Sequence, residues 1–241
     1  MSIAIIGAME EEIELLRSEL QDRSSLSAAN SLIFYSGQLN GQEVVLLCCG
    51  IGKVNAALAT AVLLERFQCE LIINTGVAGG LDVELQVGDV VIATELAYSD
   101  VDATAFNYVY GQVPQMPKRY AILPNLLALA QQVIDLRPRE ERIVTGLITT
   151  ADSFISHPER AAYIRTQFPE VKATDMEGAA IAQTAYQFGV PFVNIRSISD
   201  IAGSEAAGLF KSHLELAARN SAEVVKEFIS LYMQFSKNSK K

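Results

Sequence analysis

The sequence predicts an α/β fold, a three-layer α/β/α arrangement with a central mixed and twisted sheet. Short apolar segments that end in glycine, such as residues 3–7, are typical of strands buried on both faces. Helical segments with one apolar stripe alternate with these strands, as in α/β folds. The pair Asn40-Gly41 between two apolar segments predicts an antiparallel hairpin, so the sheet is not expected to be wholly parallel.

Hydrophobic periodicity predicts the elements in chain order. The predicted helices cover residues 9–20, 54–67, 123–133, a segment that ends before Gly189, and roughly 209–235. The predicted strands cover residues 3–7, 31–39, 42–49, a segment from 71 that runs into a glycine-rich loop at 74–80, 88–94 continuing towards Tyr98, 142–150, a short strand entry at 169–173, and 190–200. A further helix is expected to start near residue 156, with Ser156 as its cap and Pro158 in its first turn.

The composition indicates one domain over residues 1–236, followed by a frayed basic tail at 237–241. Half of the 241 residues are hydrophobic and 20% are charged, which is enough for a large core. A net charge of -9 argues against nucleic acid or an anionic membrane as the main partner. No apolar segment approaches the roughly 20 residues of a membrane span, and no signal peptide opens the sequence. We therefore expect a soluble, cytoplasmic protein.

Cysteine and histidine are too scarce to suggest a metal site or a nucleophile system. The three cysteines, Cys48, Cys49 and Cys69, fit no metal spacing and no even disulfide framework, so buried reduced thiols are expected. The two histidines are His157, at a predicted helix start, and His213, expected on the surface. No metal and no cofactor are predicted.

The turn Gly50-Ile51-Gly52-Lys53 lies between a strand and a helix. A Gly-x-Gly turn could hold a phosphate, with help from Lys53. The segment lacks the third glycine of a dinucleotide fingerprint and the spacing of a P-loop, so a tight strand-to-helix turn is the favoured interpretation.

Residues 102–117 are predicted to form a long loop, because they are polar and aromatic without periodicity. Loops of this length inside compact domains are often functional. Their aromatic residues suggest a ligand lid or a subunit contact.

Carboxylates recur where strands are predicted to end. Asp175 and Glu177 precede a helix, where they either cap it or bind a ligand. Glu12 is one of three acids in a first helical turn, and spacing alone does not select it over its neighbours. Arg196 and Asp200 are four residues apart, so a regular strand would place them on one face. Carboxylates without a metal-ligand pattern suggest general acid/base work or binding of hydroxyls, and a sugar fits such a site.

Five motifs, in this order and at these separations, closely resemble the 5'-methylthioadenosine/S-adenosylhomocysteine nucleosidases, a branch of the nucleoside phosphorylase superfamily. The resemblance covers nearly the whole chain. The motifs are Gly7-Ala8-Met9-Glu10-Glu11-Glu12, Gly50-Ile51-Gly52-Lys53-Val54, Asn74-Thr75-Gly76-Val77-Ala78-Gly79-Gly80, Asp175-Met176-Glu177-Gly178 and Ser199-Asp200.

The resemblance implies hydrolysis of the N-glycosidic bond of an adenine nucleoside, a small-molecule substrate. Asp200 resembles the general acid that protonates the purine. Glu12 resembles the group that activates water, with Arg196 nearby, and Glu177 the carboxylate that binds the ribose hydroxyls. An oxocarbenium-like ribosyl cation would be stabilised by these carboxylates.

The resemblance also implies the remaining pocket residues. Phe154 would stack near the purine, the backbone of Ile155 would bind its edge, and Met176 would pack on the sugar. Residues implied to line the rest of the pocket are Met9, Ile51, Val77, Ala78, Asp175, Ser199 and Phe210. Ala103, Phe106 and Pro114 resemble residues that a second subunit lends to the pocket, which implies a homodimer.

Two positions depart from the family pattern. Many relatives have Ser where this chain has Val77, so one hydroxyl near the nucleophile is missing. Asp175 stands where Glu is commoner, which could loosen a supporting contact. Either departure could lower the rate or alter substrate preference.

Two rival functions are weighed against hydrolysis. Phosphorolytic relatives place Arg in the loop that here carries Asn74, and Glu12 would repel phosphate, so hydrolysis is favoured. A nucleoside sensor without catalysis would not need Glu12 and Asp200 together.

Overall fold

A computed structural model describes residues 2–28, 32–138, 142–204 and 206–239. Its strands are β1 Ser2–Gly7, β2 Gln21–Ala28, β3 Leu32–Leu39, β4 Gln42–Cys48, β5 Cys69–Gly80, β6 Val90–Tyr98, β7 Tyr120–Ala121, β8 Ile143–Thr150, β9 Val171–Asp175 and β10 Phe192–Ile201. Its α-helices are α1 Glu10–Ser18, α2 Lys53–Arg66, α3 Pro124–Leu136, α4 Pro158–Gln167, α5 Gly178–Phe188 and α6 Ala206–Ser239. A short 3-10 helix spans Thr104–Phe106.

The sheet is mixed, which confirms the predicted fold class. β1 pairs in parallel with β4 and with β5, and β5 pairs in parallel with β10. β2, β3 and β4 form antiparallel pairs at one edge, and β10 pairs antiparallel with β6. Helices α1 and α3 each pack on α6, while α2 packs on α5.

Five strands of this sheet close into a ring. β10 lies between β5 and β6, β6 pairs with β8, β8 with β9, and β9 with β5. The closure explains why β5 is 12 residues long. Its glycine-rich end, predicted as a loop, stays in the sheet because Gly79 pairs with both Thr174 and Asp200.

Most predicted elements are confirmed with shifted ends. The hairpin turns at Asn40-Gly41 as predicted, and both residues have positive φ. His157, not Ser156, is the N-cap residue of α4. Helix α6 begins at Ala206, three residues earlier than predicted, and includes residues 237–239 of the predicted tail. The predicted strand start at Ser31 and tail residues 240–241 lie outside the described residues.

Two strands were not predicted at all. β2 is exposed at seven of its eight positions, so no apolar alternation marks it. β7 has only two residues. The predicted loop at 102–117 is irregular apart from the 3-10 helix.

The cysteines are free, but only Cys49 is buried; Cys48 and Cys69 are half-buried, so the prediction of three buried thiols is wrong for two. Within the part of the chain that the structure describes, no helix combines the length and apolar character needed to cross a membrane.

Candidate active site

A cavity of about 430 Å³ opens at the ends of β1, β5, β9 and β10 and at the first turns of α6. Its described lining combines carboxylates, small residues and apolar side chains, with one lysine. The lining residues are Ala8, Met9, Glu12, Ile51, Val77, Ala78, Gly79, Phe154, Thr174, Asp175, Met176, Glu177, Ser199, Asp200, Ala207, Phe210 and Lys211.

Glu12 is held at the cavity by backbone amides. Its Oε2 accepts hydrogen bonds from the amides of Ala8 (2.6 Å) and Met9 (3.1 Å), and its Oε1 accepts one from the amide of Val77 (2.9 Å). Arg196 Nη1 lies 3.7 Å from Oε1. Burial raises the pKa of Glu12, although Arg196 and the three amides oppose that rise. The carboxylate therefore has a fixed orientation and an increased affinity for a proton.

Asp175 both ends β9 and supports its surroundings. Its Oδ1 accepts hydrogen bonds from Thr150 Oγ1 (2.6 Å) and the amide of Gly178 (3.1 Å) at the start of α5. Its Oδ2 accepts from Arg196 Nε (3.0 Å) and Asn194 Nδ2 (3.2 Å). Both oxygens are thus occupied by groups of the chain itself. The shorter Asp side chain still reaches Arg196.

Arg196 lies beneath the cavity and does not line it. Its side chain is fully buried. Burial lowers the pKa of Arg196, but the three surrounding carboxylates raise it above its ordinary value, so the guanidinium stays charged. The groups that contact it are Asp175 Oδ2 (3.0 Å), Asn74 Oδ1 (2.7 Å), the carbonyl of Thr75 (3.3 Å), Glu177 Oε2 (3.5 Å) and Glu12 Oε1 (3.7 Å).

Glu177 is the N-cap residue of α5, yet its side chain does not cap that helix. Its Oε1 accepts a hydrogen bond from the amide of Gly52 (2.8 Å), and its Oε2 lies 3.5 Å from Arg196 Nη2. Burial, opposed by Arg196 and reinforced by the charges of Asp175 and Glu12, raises the pKa of Glu177 to about 7. Of the two acids at this junction, Asp175 makes the capping bond and Glu177 faces the cavity.

Asp200 has few partners. Its Oδ2 accepts one hydrogen bond, from Ser199 Oγ (2.9 Å). Burial raises the pKa of Asp200, and Ser199 only partly opposes this. A buried carboxyl with one hydrogen-bond donor is suited to carrying a proton. β10 shifts register against β5 between Ile198 and Asp200, so the regular strand assumed from the sequence is interrupted there.

Gly76 lies directly beside the contact between Arg196 and Glu12. Its φ is +149°, and a Cβ built there would lie 2.3 Å from both Arg196 Nη1 and Glu12 Oε1. Any side chain at this position would force Arg196 Nη1 and Glu12 Oε1 to move, because real Cβ atoms do not approach other heavy atoms so closely.

The open end of the cavity is apolar. The rings of Phe154 and Phe210 meet edge-on, with centroids 5.7 Å apart, and Phe154 is 42% exposed. Ile51 is half exposed beside them. Lys211 follows Phe210 on α6 and is exposed, and no hydrogen bond or ion pair joins it to another described residue.

The structure brings together most of the residues predicted for the pocket. Residues that line it as predicted are Met9, Glu12, Ile51, Val77, Ala78, Phe154, Asp175, Met176, Glu177, Ser199, Asp200 and Phe210. Ile155 lines a small adjoining cavity of about 30 Å³ instead. Ala103, Phe106 and Pro114 do not line the cavity of their own chain, and Phe106 is 77% exposed.

Sequence reasoning missed several residues at the site. Ala207 and Lys211 share the helix face of Phe210, but the predicted helix began too late to include Ala207. Thr174 and Gly79 pair across β9 and β5, a contact with no local signal. The contact of Gly52 with Glu177 joins residues 125 positions apart.

Comparison with known proteins places the chain in a family. The sequence model described as the Phosphorylase superfamily matches residues 2–230. A 5'-methylthioadenosine/S-adenosylhomocysteine nucleosidase of Anoxybacillus flavithermus is 51% identical over 230 residues, covering 95% of this chain and 98% of that relative.

Two solved structures support the same placement. The nucleosidase of Colwellia psychrerythraea in complex with adenine has a TM-score of 0.93 at 47% identity, covering 96% of this chain and 95% of that one. The nucleosidase of Neisseria meningitidis in complex with methylthio-immucillin-A has a TM-score of 0.92 at 47% identity, covering 95% and 98%. The chain belongs to the 5'-methylthioadenosine/S-adenosylhomocysteine nucleosidase family of the phosphorylase superfamily.

Proposed function

We propose that the chain hydrolyses the N-glycosidic bond of 5'-methylthioadenosine and S-adenosylhomocysteine, releasing adenine and the 5'-thio-substituted ribose. One observation carries this proposal: Glu12 on α1, Glu177 at the junction of β9 and α5, and Asp200 on β10 face a single cavity. Family membership agrees, since the relatives are named for both substrates.

The three carboxylates differ in environment, and this supports different roles. Asp200, buried with one hydroxyl donor, would protonate the purine so that adenine leaves as a neutral molecule. Glu12, fixed by three amides and near Arg196, would orient and deprotonate the attacking water. Glu177 would bind the ribose hydroxyls through an oxygen that Arg196 contacts only at 3.5 Å.

The surroundings of Asn74 favour water over phosphate as the attacking group. Its Nδ2 donates to the carbonyls of Ile6 (2.9 Å) and Thr75 (3.5 Å), and its Oδ1 accepts from Arg196 (2.7 Å) and Asn194 (2.8 Å). The side chain therefore has no free donor for a phosphate oxygen. Phosphate would also meet the carboxylate of Glu12, which repels an anion.

The test is adenine release from 5'-methylthioadenosine in phosphate-free buffer, repeated with added phosphate. We expect equal release in both buffers, with methylthioribose as the second product. Release only with phosphate, giving a sugar phosphate, would make the chain a phosphorylase. Binding without release in either buffer would favour a nucleoside sensor.

We further propose that the chain works as a cytoplasmic homodimer in which Ala103, Phe106 and Pro114 complete the partner's pocket. Phe106 and Pro114 are exposed and lie outside the pocket of their own chain. Helix α2 carries an exposed apolar stripe near the mouth, formed by Val54 (77% exposed) and Leu58. A second copy of the chain would cover this stripe.

The dimer is tested by sedimentation of the wild type and of Phe106→Asp. We expect the wild type to sediment as a dimer. The variant should have a larger dimer dissociation constant, and it should bind substrates less tightly because their alkylthio group loses a contact. A monomeric, fully active wild type would contradict the dimer proposal and leave the hydrolysis proposal standing.

A further inference from the structure

We propose that Lys53 is a positioning residue for Glu177, because it ties the loops after β6 and β8 to the turn whose amide binds that carboxylate. The inference rests on the proposed role of Glu177 in binding ribose. Lys53 does not line the cavity, and the proposed chemistry does not use it.

Lys53 stands at the start of α2 between two aspartates. Its Nζ lies 2.7 Å from Asp100 Oδ2, in the loop after β6, and 3.8 Å from Asp152 Oδ2, in the loop after β8. Its backbone amide donates to Asp152 Oδ1 at 2.8 Å. The amide of Asp152 in turn donates to Asp100 Oδ2 at 2.9 Å. These four contacts join the loops after β4, β6 and β8 into one cluster.

A phosphate ligand is a poor explanation for this lysine. Its ammonium already faces two carboxylates, and its side chain is only 22% exposed. Two carboxylates face this one ammonium, so the cluster carries excess negative charge, and Asp100 Oδ1 is buried without a hydrogen-bond partner among the described residues. An anion would be repelled from it.

The cluster leads directly to the pocket through Gly52. The amide of Gly52, one residue before Lys53, donates to Glu177 Oε1 at 2.8 Å. Gly52 has a φ of +98°, which orients this amide and which other residues rarely adopt. Anchoring Lys53 on both its ammonium and its amide therefore fixes the turn that holds Glu177.

A second contact ties the same lysine to α5, the helix that Glu177 begins. Lys53 Nζ lies 5.3 Å from the centre of the Tyr98 ring. The hydroxyl of Tyr98 donates to Gln183 Oε1 on α5 at 2.7 Å. Lys53 therefore contacts residues that hold both the Gly52 turn and helix α5 in place.

The experiment compares 5'-methylthioadenosine with its 2'-deoxy and 3'-deoxy analogues. Glu177 has one hydroxyl fewer to bind in each analogue, so displacement of Glu177 should lower kcat/KM most for the ribonucleoside. For Lys53→Met we expect the ratio of kcat/KM on the ribonucleoside to that on at least one analogue to fall roughly tenfold, mainly through KM. Lys53→Arg should restore most of the ratio.

Two further variants separate positioning from general stability. Lys172→Met breaks a Lys–Asp pair with Asp82 outside the cavity, and we expect a similar loss of Tm with an unchanged ratio. In a Glu177→Gln background, Lys53→Met should change the ratio little, since the two residues act through one contact.

Equal losses on all three nucleosides, or an unchanged ratio for Lys53→Met, would overturn the inference. If Lys53→Met does not fold, Asp100→Asn replaces it, since this variant keeps the lysine but weakens its ion pair. The same fall in the kcat/KM ratio is then expected for Asp100→Asn. If the wild type fails to cleave methylthioadenosine, the proposed hydrolysis falls. The ratio of Kd values for the three nucleosides, measured by calorimetry, then tests the positioning role alone.

Discussion

The buried end of the cavity, here called the floor, and its open end, the mouth, differ in burial and in hydrogen bonding. The floor consists of Glu12, Asp175, Glu177 and Asp200, which line the cavity, together with Arg196 directly beneath them; all five are at most 5% exposed. The mouth consists of Ile51, Phe154, Phe210 and Lys211, which are partly or largely exposed. In the floor, every carboxylate accepts a hydrogen bond from the chain itself. In the mouth, the aromatic rings contact one another and the lysine has no partner among the described residues.

This difference indicates which part of a ligand each end can recognise. A floor fixed by its own hydrogen bonds is preorganised for groups of constant geometry, such as ribose and purine. Apart from Phe154, which would stack near the purine, a mouth without fixed polar contacts tolerates variable substituents, such as the methyl or homocysteine groups of the two proposed substrates. Changes in the floor should therefore have larger effects than changes in the mouth.

The largest effect is expected for Asp200→Asn. An amide has no acidic proton to give to the purine, so kcat for adenine release should fall by roughly two to four powers of ten. Asp135→Asn, exposed on α3, is the matched control and should keep its activity. Near-normal turnover of Asp200→Asn on methylthioadenosine would exclude Asp200 as the general acid.

Arg196→Met should have the largest effect on stability. It leaves the carboxylates of Glu12, Asp175 and Glu177 buried without their cation, which should lower the free energy of unfolding by about 3–5 kcal/mol. Arg119→Met, at a partly exposed pair of contacts with Glu95 and Glu170, should cost less than about 1 kcal/mol. Urea denaturation measures the free energy of unfolding of both variants. Similar losses in the two would show that the buried cluster contributes no more to stability than the surface cluster.

The pKa of Glu177 predicts a pH-dependent difference between the wild type and Glu177→Gln. The folded state raises this pKa from 4.5 to about 7, so it binds the proton more tightly than the unfolded chain does. The stability from that proton is complete below about pH 4.5 and is lost as the pH rises through 7. Across this window the wild type should lose roughly 3 kcal/mol relative to the variant. Parallel stability curves from denaturation at pH 4.5 to 8 would show that Glu177 titrates normally.

The smallest effect is expected at the mouth. Lys211 is the one cation among the described residues that line the cavity. An exposed lysine can attract the carboxylate of a homocysteine group, which a methyl group lacks, by an interaction worth about two- to fivefold in affinity. Lys211→Met should lower the ratio of kcat/KM for S-adenosylhomocysteine to that for methylthioadenosine by this factor. Lys211→Arg should keep the ratio, and an unchanged ratio in the methionine variant would show that the lysine does not touch the substituent.

The sequence was informative where local signals were strong. Alternation of apolar and helical segments predicted the mixed α/β class, and acids after apolar segments marked Glu12 and Glu177. The resemblance to the family, and not spacing, selected Glu12 from its two acidic neighbours. The fold class and the marking of the acids needed only residues close together in the chain, whereas the resemblance needed five motifs spread along it.

Other features depend on contacts between distant segments and gave no local signal. The closed ring of strands requires β10 to pair on both edges and β9 to reach β5. β2 pairs with β3 while remaining exposed, so hydrophobicity does not mark it. The predicted register of Arg196 and Asp200 assumed a regular strand, and the irregularity after Ile198 could not be inferred from composition.

The crowding around Gly76 also limits which sequences can encode this site. A methyl group there would overlap the closest atoms of Arg196 and Glu12, so even alanine would displace two of the charged groups of the floor. In a saturation library at position 76, we expect glycine alone among folded, active clones. The most restricted position of the site is therefore one that supplies no functional group, and a search for reactive side chains would pass over it.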